Sequence, residues 1–423
     1  MVGKLDILKK INSPEAAKLF SVLVDQVLLS ATTLLTSVIL ARTYDKSNYA
    51  DLVLLFSITM FVFGFQSSLI SKPYAISLND FKGEDLKRYF YFNLTLKLFF
   101  TILLVLFFPL LYFISFDSWS LKYALLFLVY VLSYTSYYFV RETLLSERNT
   151  RQNLKYGAFC STSIVIVLLV IFFYQLNDMS IFLGATSIVY VIATCIYLLG
   201  NWRYLKITKK QYVRFWKINW SIGKWLTGSN ILFHLSTNIY PWLLLYITSK
   251  SDIAIYGVLM SVASLLNPLL TALSSYLLPI FVKVNTNYEL VKQHLNRWVI
   301  VFGFMSMTLI VIGYFFGQSI IDIIFGSKYN ALGIIVVFPY LVQAINIISQ
   351  PFRIALNAIK RTDVNFWILI PRSLISILVG ILMVRSYGII GVFYTMVIEN
   401  VFYQFVYYVI YRKIINRPIA NEL

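Results

Sequence analysis

The chain has 423 residues, 59% of them hydrophobic and 13% charged, with a mean hydropathy of +0.75 and a formal net charge of +18. A soluble domain carries roughly 25% charged residues to cover its surface, so much of this chain's surface must face lipid. That excludes a water-soluble nucleic-acid binder, and it turns the positive balance into a statement about loops. Cys160 and Cys195 both fall inside apolar runs without CxxC or Cys/His spacing, and they read as small buried residues rather than a disulfide or a metal site.

The first eighteen residues, from Met1 to Lys18, are polar for too long to be a secretory signal. The apolar run after them exceeds a signal h-region and lacks a small-residue cleavage site, so it is expected to stay as the first span. A spanning helix needs about 20 mainly apolar residues. Twelve runs qualify, at 19–41, 51–71, 92–114, 121–140, 156–176, 181–200, 225–247, 253–280, 299–317, 331–350, 366–384 and 388–411. Leu176–Ser180 and Arg385–Tyr387 leave room only for helical hairpins, and no loop is long enough to fold as a domain.

Lys and Arg orient the spans, because cytoplasmic loops carry the excess. One side holds 28 and the other 6, with Lys97 and Arg372 inside spans. The expected fold is therefore an all-α integral membrane protein of twelve transmembrane helices in two six-helix lobes, with both termini cytoplasmic. Residues 1–201 form the first lobe, 202–224 a basic cytoplasmic linker and 225–423 the second lobe. The stretch from Trp202 to Lys224 holds seven cations, no acid and six aromatic residues. Read alone it suggests nucleic-acid binding. Its place between spans instead makes it a short amphipathic helix on the anionic inner leaflet, anchored by Trp202, Trp216, Trp220 and Trp225. A weak internal repeat sets Asp45–Ala50 beside Asp252–Gly257, with Asp and Tyr at the same spacing.

An ionisable group at mid-bilayer costs about 2.5–3.5 kcal/mol on insertion scales, so each needs a partner or a water-filled cavity. Asp25 lies about seven residues into the first span, roughly 10 Å deep at 1.5 Å per residue, and Lys97 and Arg372 sit at similar depth. One reading gives Asp25 a proton or cation to carry, and gives Lys97 and Arg372 an anionic head group to hold. The other pairs Asp25 with Lys97 and lets Arg372 snorkel to the interface. Glu399, beside Asn400, has no basic neighbour at helical spacing and is expected to titrate or line water. Asn230, His234 and Asn238 form a polar stripe at four-residue spacing that must face protein or a cavity, and Gln66 with Ser67-Ser68 makes a weaker patch. Pro241, Pro268 and Pro339 each can kink a span. No catalytic constellation, P-loop, GxSxG or metal cluster is present, and an enzyme is not expected.

With these features the chain resembles polysaccharide flippases of the Wzx type, in the multidrug/oligosaccharidyl-lipid/polysaccharide exporter superfamily. Ala41-Arg42, Tyr49, Ile255-Tyr256-Gly257, Pro279 and Phe325-Gly326-Ser327-Lys328-Tyr329 carry the likeness, with Ala50 departing from the family's usual glycine. The resemblance implies a MATE-like fold in the bacterial cytoplasmic (inner) membrane. It also implies translocation of undecaprenyl-pyrophosphate-linked oligosaccharide repeat units to the periplasmic leaflet by alternating access, with a polysaccharide polymerase and a chain-length regulator as further partners. No cofactor is implied beyond a coupling ion, H+ or Na+, with Asp25 or Glu399 as its carrier. Lys97, Arg372, His234, Asn230, Asn238 and Gln66 are the cavity candidates. A drug/cation antiporter of the same superfamily is the nearest alternative, and a membrane-embedded polymerase or acyltransferase the next.

Overall fold

The computed structural model describes residues 14–113, 121–200, 206–284, 287–359 and 363–415. The polar N-terminus before Pro14, Trp202 and Arg203 of the basic stretch, Lys360 and Arg361, and the tail from 416 onward lie outside the described residues. All regular structure among the described residues is helical. Hydrocarbon offers a backbone no water to bond, and a helix satisfies its N–H and C=O groups within its own segment.

Among the described residues ten helices are long and apolar enough to cross a membrane, which makes this a multi-pass membrane protein. The two expected runs outside that set, 225–247 and 253–280, are each built from two helices. The first is split at Asn238-Ile239 and resumes with Pro241 in its new first turn; the second is split at Leu265-Leu266 and resumes with Pro268 likewise. A first turn has no use for the N–H that proline lacks, so each break is placed where the ring costs least.

Contacts divide the chain into two compact units, one of Met1–Asn48 with Leu54–Ile231 and one of Tyr49–Val53 with Leu232–Leu423. The first contains α1 (Pro14–Thr43), α2 (Lys46–Gln66), a π-helical turn (Ser67–Ser71), α3 (Lys72–Ile76), α4 (Gly83–Phe113), α5 (Leu121–Ser146), α6 (Thr150–Phe173) and α7 (Met179–Leu199). Helix α1 packs along α6, α4 along α5, and α5 along α7. Asp45 caps α2 by accepting from the Asn48 N–H at 2.6 Å, and Asp178 caps α7 through the Ser180 N–H at 2.8 Å. Cys160 is buried, but Cys195 is exposed, in a row on α7 with Ile188, Ile192 and Leu199. At that spacing the row is one helix face, and in a bilayer it meets lipid. The expectation that both thiols are buried is corrected for Cys195.

Helix α8 (Lys209–Thr237) joins the described part of the basic stretch to the seventh apolar run without a break. It is not a short helix lying free on a leaflet. Phe215 and Asn219 are fully buried against α4, where Asn219 accepts from the Tyr89 hydroxyl and donates to Asn93, both at 2.6 Å. Phe215 meets the rings of Phe81, Tyr89 and Phe92. Lys209, Lys210, Arg214 and Lys217 occupy the exposed side. Gly223 lets α8 close on the π-helical turn, since a Cβ there would stand 3.0 Å from the Leu69 Cα. The contact boundary falls inside α8, at Ile231 and Leu232, rather than in the basic stretch.

The second unit continues through α9 (Tyr240–Ile247), α10 (Lys250–Ser264), α11 (Asn267–Lys283), α12 (Tyr288–Phe325), α13 (Val337–Ala358), α14 (Asp363–Tyr387) and α15 (Ile389–Ile415). Helix α13 is its centre, packed by α11, α12 and α15, with α14 against α15. Within this unit Gly257 packs on Tyr49 and Val53, and Lys250 pairs with Asp51 at 2.8 Å. The two aspartates of the repeat have different roles. Asp45 is an N-cap, whereas Asp252 lies in the first turn of α10 and Ser249 is the cap. Gly326 ends α12 at φ +84, a conformation that glycine adopts freely, and Tyr329 is fully buried just beyond. Pro339 stands in the first turn of α13, just after a 3-10 turn over Gly333–Val336; the prolines further inside helices of this unit are Pro279, Pro351 and Pro371.

Candidate functional site

Each unit buries a carboxylate–arginine pair. In the first, Asp25 of α1 is 1% exposed and Arg141 of α5 is 3% exposed. An Arg141 Nη2 hydrogen bond reaches Asp25 Oδ2, which also accepts from Asn153 Nδ2 of α6 at 2.8 Å. The Tyr137 hydroxyl accepts from Arg141 Nη1 at 3.1 Å, and the guanidinium lies 5.5 and 5.7 Å from the Tyr137 and Tyr138 ring centres. Gly157 makes room on α6, because a Cβ there would collide with Asp25 Oδ1. The Oδ1 atoms of Asp25 and Asn153 are buried without hydrogen-bond partners. Arg141 belongs to the pair because α5 runs past Val140 to Ser146, with no glycine or proline to stop it.

In the second unit Glu399 of α15 is 1% exposed and accepts from Arg372 Nη2 of α14 at 3.1 Å. Its other oxygen accepts from the Ser376 hydroxyl and, at 3.0 Å, from the Tyr240 hydroxyl. Arg372 also lies 5.0 Å from the Tyr403 ring centre. The break before Pro241 sets Tyr240 at the start of α9. Gly380 then lets α14 come close, with an added Cβ only 3.1 Å from Leu243. A buried ion pair endures when hydrogen bonds fill its remaining sites, and the serine and tyrosine do that for Glu399.

The other candidates group differently. Lys97 is 1% exposed and, among the described residues, forms no ion pair with Asp25 or another carboxylate. It donates to the Leu132 carbonyl at 3.0 Å and to Ser136 Oγ. Gln66 donates to the Lys97 carbonyl at 3.3 Å and to Thr101 at 2.5 Å. His234 and Asn238 are joined at 2.5 Å between Nδ1 and Nδ2, while Asn230 leaves its Oδ1 buried without a partner. Where the sequence left alternatives open, the contacts choose between them. Asp25 pairs with Arg141 and not with Lys97. Arg372 does not snorkel but turns inward. Glu399 does have a basic partner, supplied by the neighbouring helix rather than its own. Among the described residues no group of three His, Cys, Asp or Glu side chains could hold a metal ion.

Sequence reasoning missed Arg141, Asn153, Tyr240, Ser376 and Tyr403. For Arg141 a signal existed, in the uninterrupted helix-forming run from Tyr137 to Ser146. Arg141 lies one residue beyond the expected span 121–140, where a cation reads as part of a loop. Arg372 and Glu399 lie on either side of the Gly388 turn but five residues out of step, about 7.5 Å along a helix. Only the reach of both side chains brings them together.

Residues 39–333 match the family described as polysaccharide biosynthesis protein. A curated relative, the lipopolysaccharide biosynthesis protein WzxC of Escherichia coli (strain K12), is 24% identical over 152 residues. That match spans 35% of this chain and 30% of WzxC. The fold is similar to that of the lipid II flippase MurJ in an inward closed conformation, with TM-score 0.67, 16% identity, and 93% of this chain and 87% of that one covered. It is also similar to the Vibrio cholerae MATE transporter VcmN, with TM-score 0.63, 16% identity, and coverage of 95% and 96%. These structural neighbours are transporters, and the MATE-like fold expected from the sequence is the one observed. On the strength of a match covering more than half of its length, the chain belongs to the polysaccharide biosynthesis protein family.

Proposed function

We propose that this membrane transporter is a flippase for oligosaccharide repeat units linked to undecaprenyl pyrophosphate, moving them from the cytoplasmic to the periplasmic leaflet of the bacterial inner membrane. Family membership carries the reading. The buried charges are compatible with it: Lys97 and Arg141 in the first unit and Arg372 in the second place cationic side chains inside the helical units, where a diphosphate could be sensed. Twelve crossings, counting the two broken runs, and cytoplasmic termini belong to the same proposal, as does delivery to a polymerase and a chain-length regulator. Coupling to H+ or Na+ would act at Asp25, where the ion competes with Arg141 for the carboxylate, or at Glu399. Lys97, Arg372, Gln66, Asn230, His234 and Asn238 are the residues through which substrate would be sensed.

Deleting the gene should accumulate lipid-linked repeat units on the cytoplasmic leaflet. Asp25→Asn or Arg372→Ala should reproduce part of that defect at unchanged protein level in the membrane. Normal surface polysaccharide in the deletion strain, with heightened drug sensitivity, would favour an antiporter instead.

A further inference from the structure

The second unit contains a cavity of about 300 Å³ between α11, α13 and α15, lined by Ser274, Gln350, Arg353, Asn357 and Tyr403 with Leu278 on its apolar side. Neither buried carboxylate lines it. Arg353 lies beyond the expected tenth span, 331–350, yet within α13, five residues before the helix ends at Ala358. Its Nε is buried without a hydrogen-bond partner. No ion pair found among the described residues includes it. Ser274 donates to Gln350 Oε1 at 3.2 Å, which leaves the Gln350 amide N–H groups as donors. A half-buried guanidinium and an amide with N–H groups to offer define an acceptor-rich, anionic guest.

Size and position narrow that guest. Ligand pockets run from about 300 to 1,000 Å³, so this one holds a head group and not an oligosaccharide. Arg353 is about 7.5 Å from the end of its helix, close to head-group depth. Helices α11, α13 and α15 are each separated by one antiparallel neighbour and so end on the same face, where Lys283, Arg412 and Lys413 add positive charge. Helix C-termini themselves repel anions, so recognition falls on the side chains. Tyr403 forms one wall and also lies under Arg372, the partner of Glu399. An occupant of the cavity therefore touches the ring that helps to seat that pair.

We propose that this cavity binds the phosphate or diphosphate head group of a lipid, with Arg353 as its cation and Gln350 as its hydrogen-bond donor. The flippase reading bears only on which lipid supplies the group. Either the transported polyprenyl diphosphate or a phospholipid of the bilayer has the required chemistry.

The full chain in phosphatidylcholine nanodiscs, titrated with undecaprenyl pyrophosphate and separately with phosphatidylglycerol, tests this. Arg353→Gln should weaken binding of at least one of them tenfold or more, and Arg353→Lys should recover most of the loss. Gln350→Ala, which keeps every charge, should weaken it to a lesser degree. Preference for the diphosphate identifies transported lipid as the source, and equal binding of both identifies the bilayer. Unchanged affinity for both lipids in folded Arg353→Gln and Gln350→Ala protein would overturn the site. That outcome is separate from the failure of the flippase reading, which appears as normal surface polysaccharide in the deletion strain.

Discussion

Asp25 and Arg141 show how a charge survives inside a membrane protein. Removing one partner of a buried pair costs about 3–5 kcal/mol, because the survivor is left uncompensated. Asp25→Ala and Arg141→Ala should each destabilise by about that amount, while the double variant loses clearly less than the sum. Thermal unfolding of the detergent-purified proteins measures the cycle, and strict additivity would mean that the pair is not a unit. A second carboxylate, Asp178, lies outside the spans. Its pKa is lowered by the hydrogen bond from Ser180, with burial opposing. A depressed carboxylate contributes stability above its unfolded value, about 3.9, and loses it as pH falls through the folded value. The wild-type melting temperature should drop across that acid range, and Asp178→Asn, which caps α7 without titrating, should flatten the drop. Equal acid profiles for the two proteins would remove Asp178 from the account.

At the scale of elements, α8 is the piece whose role changed most between sequence and structure. Its cations and aromatic residues were legible, and so was its place between apolar runs. That its inner face would lock onto α4 through Phe215 and Asn219 was not, because the partners Tyr89 and Asn93 lie more than a hundred residues away in sequence. The breaks at Asn238-Ile239 and Leu265-Leu266 were foreshadowed by Pro241 and Pro268, whereas the π-helical turn at Ser67–Ser71 has no composition signal. Two glycines of α8 separate packing from flexibility. Gly223→Ala forces a Cβ against the Leu69 backbone and should cost about 1–3 kcal/mol. Gly228 has open space around it and no contact within 4 Å, so Gly228→Ala should be neutral or stabilise by up to about 1 kcal/mol. Equal effects of the two variants on thermal unfolding would contradict the close docking of α8.

For the whole molecule, composition and hydropathy were enough to read a helical membrane protein, since they follow from solvent alone. Family motifs became physical on inspection: Gly326 supplies the positive φ that ends α12, and Tyr329 is the buried ring that follows. What stayed hidden was pairing between helices. Lys97 and Arg372 stood at a depth similar to that of Asp25 while Arg141 lay just past an expected span, and sequence spacing within one helix cannot choose among partners on others. The proposal that these two helical units move a diphosphate-linked glycan is open to direct measurement. Purified protein would be reconstituted into liposomes with a fluorescent undecaprenyl-pyrophosphate oligosaccharide, and the fraction reachable by a membrane-impermeant quencher followed with time. Wild-type protein should exchange the lipid between leaflets, and Asp25→Asn should slow that exchange. Wild-type liposomes indistinguishable from protein-free ones, with an ion gradient imposed in either direction, would contradict the account.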